Sequence, residues 1–447
     1  MKDLTQGNIY KTFFLFGLPL IFAGVLNQAY AIINSIIAGK FLGEVGLATT
    51  GATAPLETFI NSLFWGFTAG YAVYIARLFA AKNYQKLKTS FYSCYVVVLI
   101  FIVFIGIFLV SLFTPIANLL NIKNNIRSES FSYFAILRIA SIFIVLNTLL
   151  TSSLNALGIS GFPFWMSLLS SLLNIGGNLL SVVVFKLGLK GIAFSSIIAN
   201  STIHIFYMIK IKNCFKQLIK DEQKINFDLS TIKEGFPFAL PNMLQQGIMY
   251  LVGLLISPLV NSMDVSAIAS YTVINHIYNF VAAVYQNASK TATNYTAQCI
   301  GAKKYGLVKK CIGVALLQYL VLTVPIILIC AIFKESVCGL FLKADASSLT
   351  KEYCYLFLTI YLPFICFNVV NNLFHGFYRG AKAMGHLFAV SLFGSLTRYV
   401  FSAILIPTMG MSGFFLGWII SWIAEAFLTT ALFFIGRWQP KEMRQIQ

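Results

Sequence analysis

Apolar residues run along the whole chain in blocks of about twenty, separated by short polar stretches. Twenty helical residues rise about 30 Å, the thickness of the hydrocarbon core of a bilayer. Twelve such blocks stand out, centred roughly on residues 25, 62, 101, 146, 174, 201, 246, 283, 320, 364, 394 and 424. Backbone in hydrocarbon must satisfy its own hydrogen bonds, and blocks of this length do so as helices. The pattern therefore predicts an all-α integral membrane protein of twelve transmembrane helices, with no extended polar region left for a soluble domain. The first block holds Pro19 and Asn27 and ends without a small-residue cleavage site, so a retained helix is expected there and not a leader.

Composition strengthens this picture. The chain is 58% hydrophobic and 10% charged, against about 25% charged in soluble domains. Its net charge of +18 suggests nucleic acid until the charges are placed on the helices. With the N-terminus in the cytoplasm, 21 Lys and Arg fall at the inner ends and loops and eight on the outer side. Three lie inside spans: Arg138, Lys290 and Arg398. That asymmetry is the positive-inside rule. It implies a multi-pass protein of the cell membrane with both termini cytoplasmic, in contact with anionic lipid and not with nucleic acid. The eight cysteines form no CxxC pair and are expected to act as small apolar side chains.

The halves of the chain resemble each other at a displacement of about 222 residues. "LFGLP" (15–19) matches "PFALP" (237–241), "AAKNYQKLK" (80–88) matches "GAKKYGLVK" (301–309), and "GLKGIAFSSII" (188–198) matches "GMSGFFLGWII" (410–420). Six spans per half give both halves the same orientation, so two parallel lobes are expected: residues 1–212, a cytoplasmic linker 213–229, and residues 230–447. Duplicated lobes that rock about a site at their interface are a hallmark of secondary transporters.

The ordered motifs are similar to those of the multidrug and toxic compound extrusion (MATE) family, over essentially the whole chain. They include "AGKFLG" (38–43), "GLATTGA" (46–52), "GFTAGYAVYIARLFAAKNY" (66–84), "VNSMDVSAIASY" (260–271), "TAQCIGAKKY" (296–305) and "FYRGAKAMG" (377–385). The resemblance implies two six-helix lobes around a central cleft, and exchange of protons or sodium for organic, often cationic and amphipathic, compounds. It also implies a monomer. In the DinF-like branch an aspartate stands in the first helix; in "IINSIIAGKFLG" that register holds Asn34. The branch's "NxxxD" of the fifth helix is here "NIGGN", with Asn174 and Asn178. Acids placed by other branches in the seventh and tenth helices are missing, and the seventh carries Gln245 and Gln246. A carboxamide can coordinate a cation or bind a ligand but cannot take up a proton. Asn34, Asn174 and Asn178 are thus candidate cleft residues, as are Gln28, Asn61, Gln245 and Gln246.

Ionisable residues within spans are expensive and by default functional. By helix rise, Glu57 lies roughly 20 Å down the second span and His276 roughly 18 Å down the eighth. The repeat register pairs Glu57 with Tyr278, two residues from His276. Glu57, with His276, Asn34 and Asn178, is therefore a candidate for coupling to a proton or sodium ion. The alternative for Glu57 is a structural hydrogen bond to Asn61 or Thr53 on the same helical face. Lys290, also near mid-span, is expected to snorkel inward, to pair with Glu57 or to repel cations from the cleft. Arg138 is expected to snorkel to the outer boundary, and Glu425 is the candidate partner of Arg398. Pro19 is the hinge candidate of the first lobe.

These features point to an efflux transporter driven by cation antiport, with no other cofactor. The alternatives are a flippase for a lipid-linked or amphipathic product and a coupling-deficient membrane scaffold or sensor. No DDxxD or HExxH pattern supports an enzyme.

Overall fold

The computed structural model describes residues 3–119, 124–219, 227–342, 346–435 and 439. Among them every element is helical. The α-helices are α1 (Ile9–Ala80), α2 (Tyr84–Ser111), α3 (Phe113–Leu119), α4 (Asn124–Ala156), α5 (Gly161–Leu179), α6 (Gly188–Leu218) and α7 (Leu229–Asn261). They continue as α8 (Val265–Gly301), α9 (Tyr305–Ile332), α10 (Lys334–Gly339), α11 (Ser348–Leu356), α12 (Ile365–Ala381) and α13 (Met384–Ile435). A π-helical turn at Leu180–Val184 extends α5, and another at Phe357–Tyr361 joins α11 towards α12.

Eleven stretches are long and apolar enough to cross a membrane. Two of them, Ile9–Asn34 and Leu56–Ala80, lie in α1. The last is all of α13, 52 residues, or about 78 Å at helical rise. It is broken at Gly410, whose φ of 57° leaves the helical region. α13 therefore contributes two crossings, and twelve result.

The internal repeat is visible in the backbone. Lys82 and Lys303 both adopt positive φ, 57° and 58°. At each, the next residue's N–H reaches back across the turn, Asn83 to the Leu78 carbonyl (3.0 Å) and Lys304 to the Cys299 carbonyl (2.8 Å). These are left-handed helix caps that release the chain into α2 and α9. Gly188 and Gly410, also a repeat-related pair, have φ of 59° and 57°.

Two compact units are present, and they divide differently from the expected boundaries. The first comprises residues 1–3 and Leu26–Leu240; the second comprises Leu4–Val25 and Pro241–Gln447. The chain changes unit inside α1 and again inside α7, not in the linker, of which residues 220–226 lie outside the described residues. Pro19, within continuous helical backbone, thus belongs to the second unit. Close packing shows why. In the second unit the Leu4 N–H donates to the Gln298 side-chain carbonyl at 2.9 Å, and Gly24 admits Asn287 where a Cβ would collide. In the first, Gly70 admits the Phe238 carbonyl and Gly235 admits the Tyr71 ring. Lys86 and Tyr74 both bind the Glu234 carboxylate there, at 2.7 and 2.8 Å. Within the first unit α6 packs on α4 and α5; within the second α8 packs on α9, α11 and α12.

Candidate functional site

Asn174 and Asn178 sit one turn apart on α5, 4% and 0% exposed. Asn178 Nδ2 donates to Asn34 Oδ1 at 2.5 Å, and Asn34 Nδ2 donates to the Tyr30 hydroxyl at 2.8 Å. The two carboxamides that stand where the DinF-like resemblance implies aspartates are therefore joined. Asn178 Oδ1 is buried with no partner, so this junction keeps one carbonyl available. Asn174 instead accepts from Ser196 Oγ of α6 at 3.2 Å. From there a polar chain continues through Asn200, Asn147 and His204 to the Tyr95 hydroxyl, by bonds of 2.9 Å each. His204 did not emerge from sequence reasoning, because one histidine among apolar residues carries no pattern. Gln28 and Asn61 are half-buried, and Asn27 accepts from Ser167 at 2.9 Å.

Glu57 does not bond Asn61, and Thr53 lies outside the described side chains. Its carboxylate forms an ion pair with Arg138 of α4, the two side chains 12% and 5% exposed. The guanidinium also lies 4.6 Å from the Phe134 ring centroid. Arg138 therefore does not snorkel outward, and Lys290 is not the partner of Glu57. A buried carboxylate needs a counter-charge, and the arginine one turn beyond Phe134 supplies it. Glu57 is a charge held by a group that stays protonated.

In the second unit Glu425 takes a different partner from the expected Arg398. His375 Nε2 of α12 lies 3.1 Å from Glu425 Oε1, with the side chains 6% and 12% exposed. Asn371 Nδ2, one turn before the histidine, donates to Glu425 Oε2 at 3.3 Å. Gly394 makes room for this carboxylate, since a Cβ there would collide with Glu425. Arg398 stacks over Trp418, 4.4 Å from the ring centroid. This acid–imidazole pair spans 50 residues of sequence and two helices, so only the tertiary structure assembles it.

The remaining candidates are dispersed. His276 stacks on Phe341 (centroids 5.8 Å apart, 4° between planes) and is half-buried. Gln245 is buried and donates to Ser391 Oγ at 3.0 Å, leaving its Oε1 unpartnered; Gln246 is half-buried. Lys290 is exposed and donates to Asn287 Oδ1 at 2.7 Å. Two carboxylates within membrane-crossing helices are only 12% exposed: Glu57 faces a permanent cation, and Glu425 faces an imidazole.

The chain is similar to several known proteins. The sequence profile of the MatE family matches residues 19–180 and 237–404. The "Probable multidrug resistance protein YoeA" of Bacillus subtilis is 26% identical over 356 residues, 76% of this chain and 74% of that protein. The "Probable multidrug resistance protein YpnP" of the same organism is 24% identical over 450 residues, 99% and 98% of the two chains. A solved outward-facing multidrug resistance MATE family transporter of the MOP superfamily shares the fold, with TM-score 0.89 and 17% identity over 97% of this chain and 96% of that one.

Proposed function

The chain belongs to the MatE family, whose members are transporters and not enzymes, and from that premise we propose that it exports organic compounds across the cell membrane by alternating access, in exchange for protons. Both termini are cytoplasmic in this reading, and the monomer is the working unit. The observation that carries the choice of ion is the Glu425–His375 pair. Protonating Glu57 would strand the Arg138 guanidinium without a counter-charge, a costly state in a buried site. Glu425 is held instead by His375, an imidazole whose ring nitrogens can accept or donate a proton, so that a proton can be passed within the pair. The asparagines at the family's aspartate positions take no part in proton uptake; Asn34 and Asn178 hold α1 and α5 together instead. Sodium is disfavoured because the carboxamide junction offers carbonyl oxygens but no negative charge.

The test is accumulation of fluorescent organic compounds in a pump-deficient bacterium expressing the chain, with and without a protonophore. Export that the protonophore collapses and that Glu425→Gln abolishes, at equal expression, is the expected result. Export that persists with the protonophore and requires sodium would overturn the choice of ion.

A further inference from the structure

Along α8 the side chains from Val281 to Tyr285 and from Thr291 to Ile300 are all buried, as are Ala288 and Ser289. Three residues interrupt this stretch: Gln286 and Lys290 are exposed and Asn287 is half-buried. They fall at i, i+1 and i+4, on one helical face. A face turned to lipid carries an apolar stripe, as α2 does with Ile100, Phe101, Phe104, Ile107 and Phe108, all exposed. The opening on α8 is wholly polar, so it is open to water.

Lys290 stands eleven residues before Gly301, the last residue of α8, or about 16 Å by helix rise, well inside a hydrocarbon core about 30 Å thick. A lysine at that depth is retained where it meets water or a ligand. Its ammonium donates to Asn287 Oδ1 at 2.7 Å, which leaves two of its three donors for other partners. Among the described residues no carboxylate lies within 4.0 Å of it. Arg379 of α12 is the nearby charge that acts on it, and this second cation is likewise without a carboxylate, its Nε bound to Asn242 Oδ1 at 2.7 Å. Glu425 is held by His375 and Asn371.

We infer that Lys290 binds the anionic group of an amphipathic substrate, with Gln286 and Asn287 as hydrogen-bonding neighbours, so that the exported compounds are amphipathic carboxylates, sulfonates or phosphates. This is the opposite polarity to the organic cations that the family resemblance implies. An uncompensated ammonium beside a guanidinium repels a cation and attracts an anion. The inference rests on the efflux reading for the direction of transport but not for binding.

The two are separated by measuring binding and flux independently. Purified full-length protein in lipid nanodiscs is titrated with radiolabelled taurocholate, an amphipathic sulfonate, and with ethidium, an amphipathic cation. Expected are at least tenfold tighter binding of taurocholate than of ethidium by the wild type, a loss of about tenfold or more in Lys290→Gln, and retention in Lys290→Arg. Wild-type binding of ethidium alone, or of neither probe, overturns the inference whatever the variants do, and so does unchanged taurocholate affinity in Lys290→Gln. Proteoliposome flux is then read on the same preparations. Ethidium export indifferent to Lys290→Gln, with no Lys290-dependent binding of taurocholate, would leave efflux standing and sink the anion site. Lys290-dependent taurocholate binding with no flux of either probe would sink efflux and leave the anion site standing.

Discussion

Glu57 and Arg138 are each buried, and each neutralises the other. Removing one partner of a buried ion pair costs about 3–5 kcal/mol, mostly because the survivor is left uncompensated. Glu57→Gln should therefore lower the melting temperature of the purified protein, and Arg138→Met in the same chain should restore most of it. Equal melting temperatures for the wild type and Glu57→Gln would show that the pair contributes nothing. The carboxamides follow a gentler rule. An interhelical hydrogen bond such as Asn178 to Asn34 is worth about 0.6 kcal/mol in membrane helices. Its function is then to fix where α1 meets α5. At this scale the resemblance singled out Asn34 and Asn178 as cleft candidates, and the structure joins those two by a direct bond. The partners of Glu57 and Glu425 were not legible, because each comes from another helix at a sequence distance that no local pattern encodes.

Helix ends carry their own chemistry. Asp228 stands immediately before α7, outside the membrane-crossing segment, and accepts from the Ser230 hydroxyl and backbone N–H, both at 2.8 Å. Those two bonds hold its carboxyl below the ordinary carboxylate range. A depressed folded value means that the stabilisation is fully present above the unfolded pKa of about 3.9 and is lost as pH falls through the lowered folded value. Asp228→Ala should therefore lower the melting temperature at pH 7, and the difference from wild type should shrink as the pH approaches 3. A difference independent of pH would assign the residue a packing role instead. The paired turns at Lys82 and Lys303 show how a repeat is kept at element scale. The motif match anticipated the equivalence, but the left-handed φ on lysine did not follow from it, since lysine has no preference for that region.

Across the whole molecule, the distribution of basic residues implies an orientation that labelling can test. Single-cysteine variants Lys88→Cys and Lys309→Cys, in a background without the native cysteines, should react with a membrane-impermeant maleimide only in opened cells. Lys186→Cys should react in intact cells. The reverse labelling would invert the topology that the positive-inside rule implies. The exchange of segments between units, Leu4–Val25 to the second and residues up to Leu240 to the first, means that α1 and α7 each cross from one unit to the other. A change at Pro19 is thereby placed in the second unit, while Asn34 further along the same helix stays in the first.

The sequence by itself determined the helical membrane fold, the number of crossings, the duplication and the family. Each of these depends on apolar block length, repeat spacing or ordered motifs, which are linear properties of the chain. The tertiary structure decided the pairing of charges: Glu57 with Arg138, Glu425 with His375, and Lys290 with no acid among the described residues. Those outcomes depend on which helix faces meet and on what space a glycine leaves open. A buried charge is satisfied by whatever group lies within about 4 Å, and that distance is set by packing.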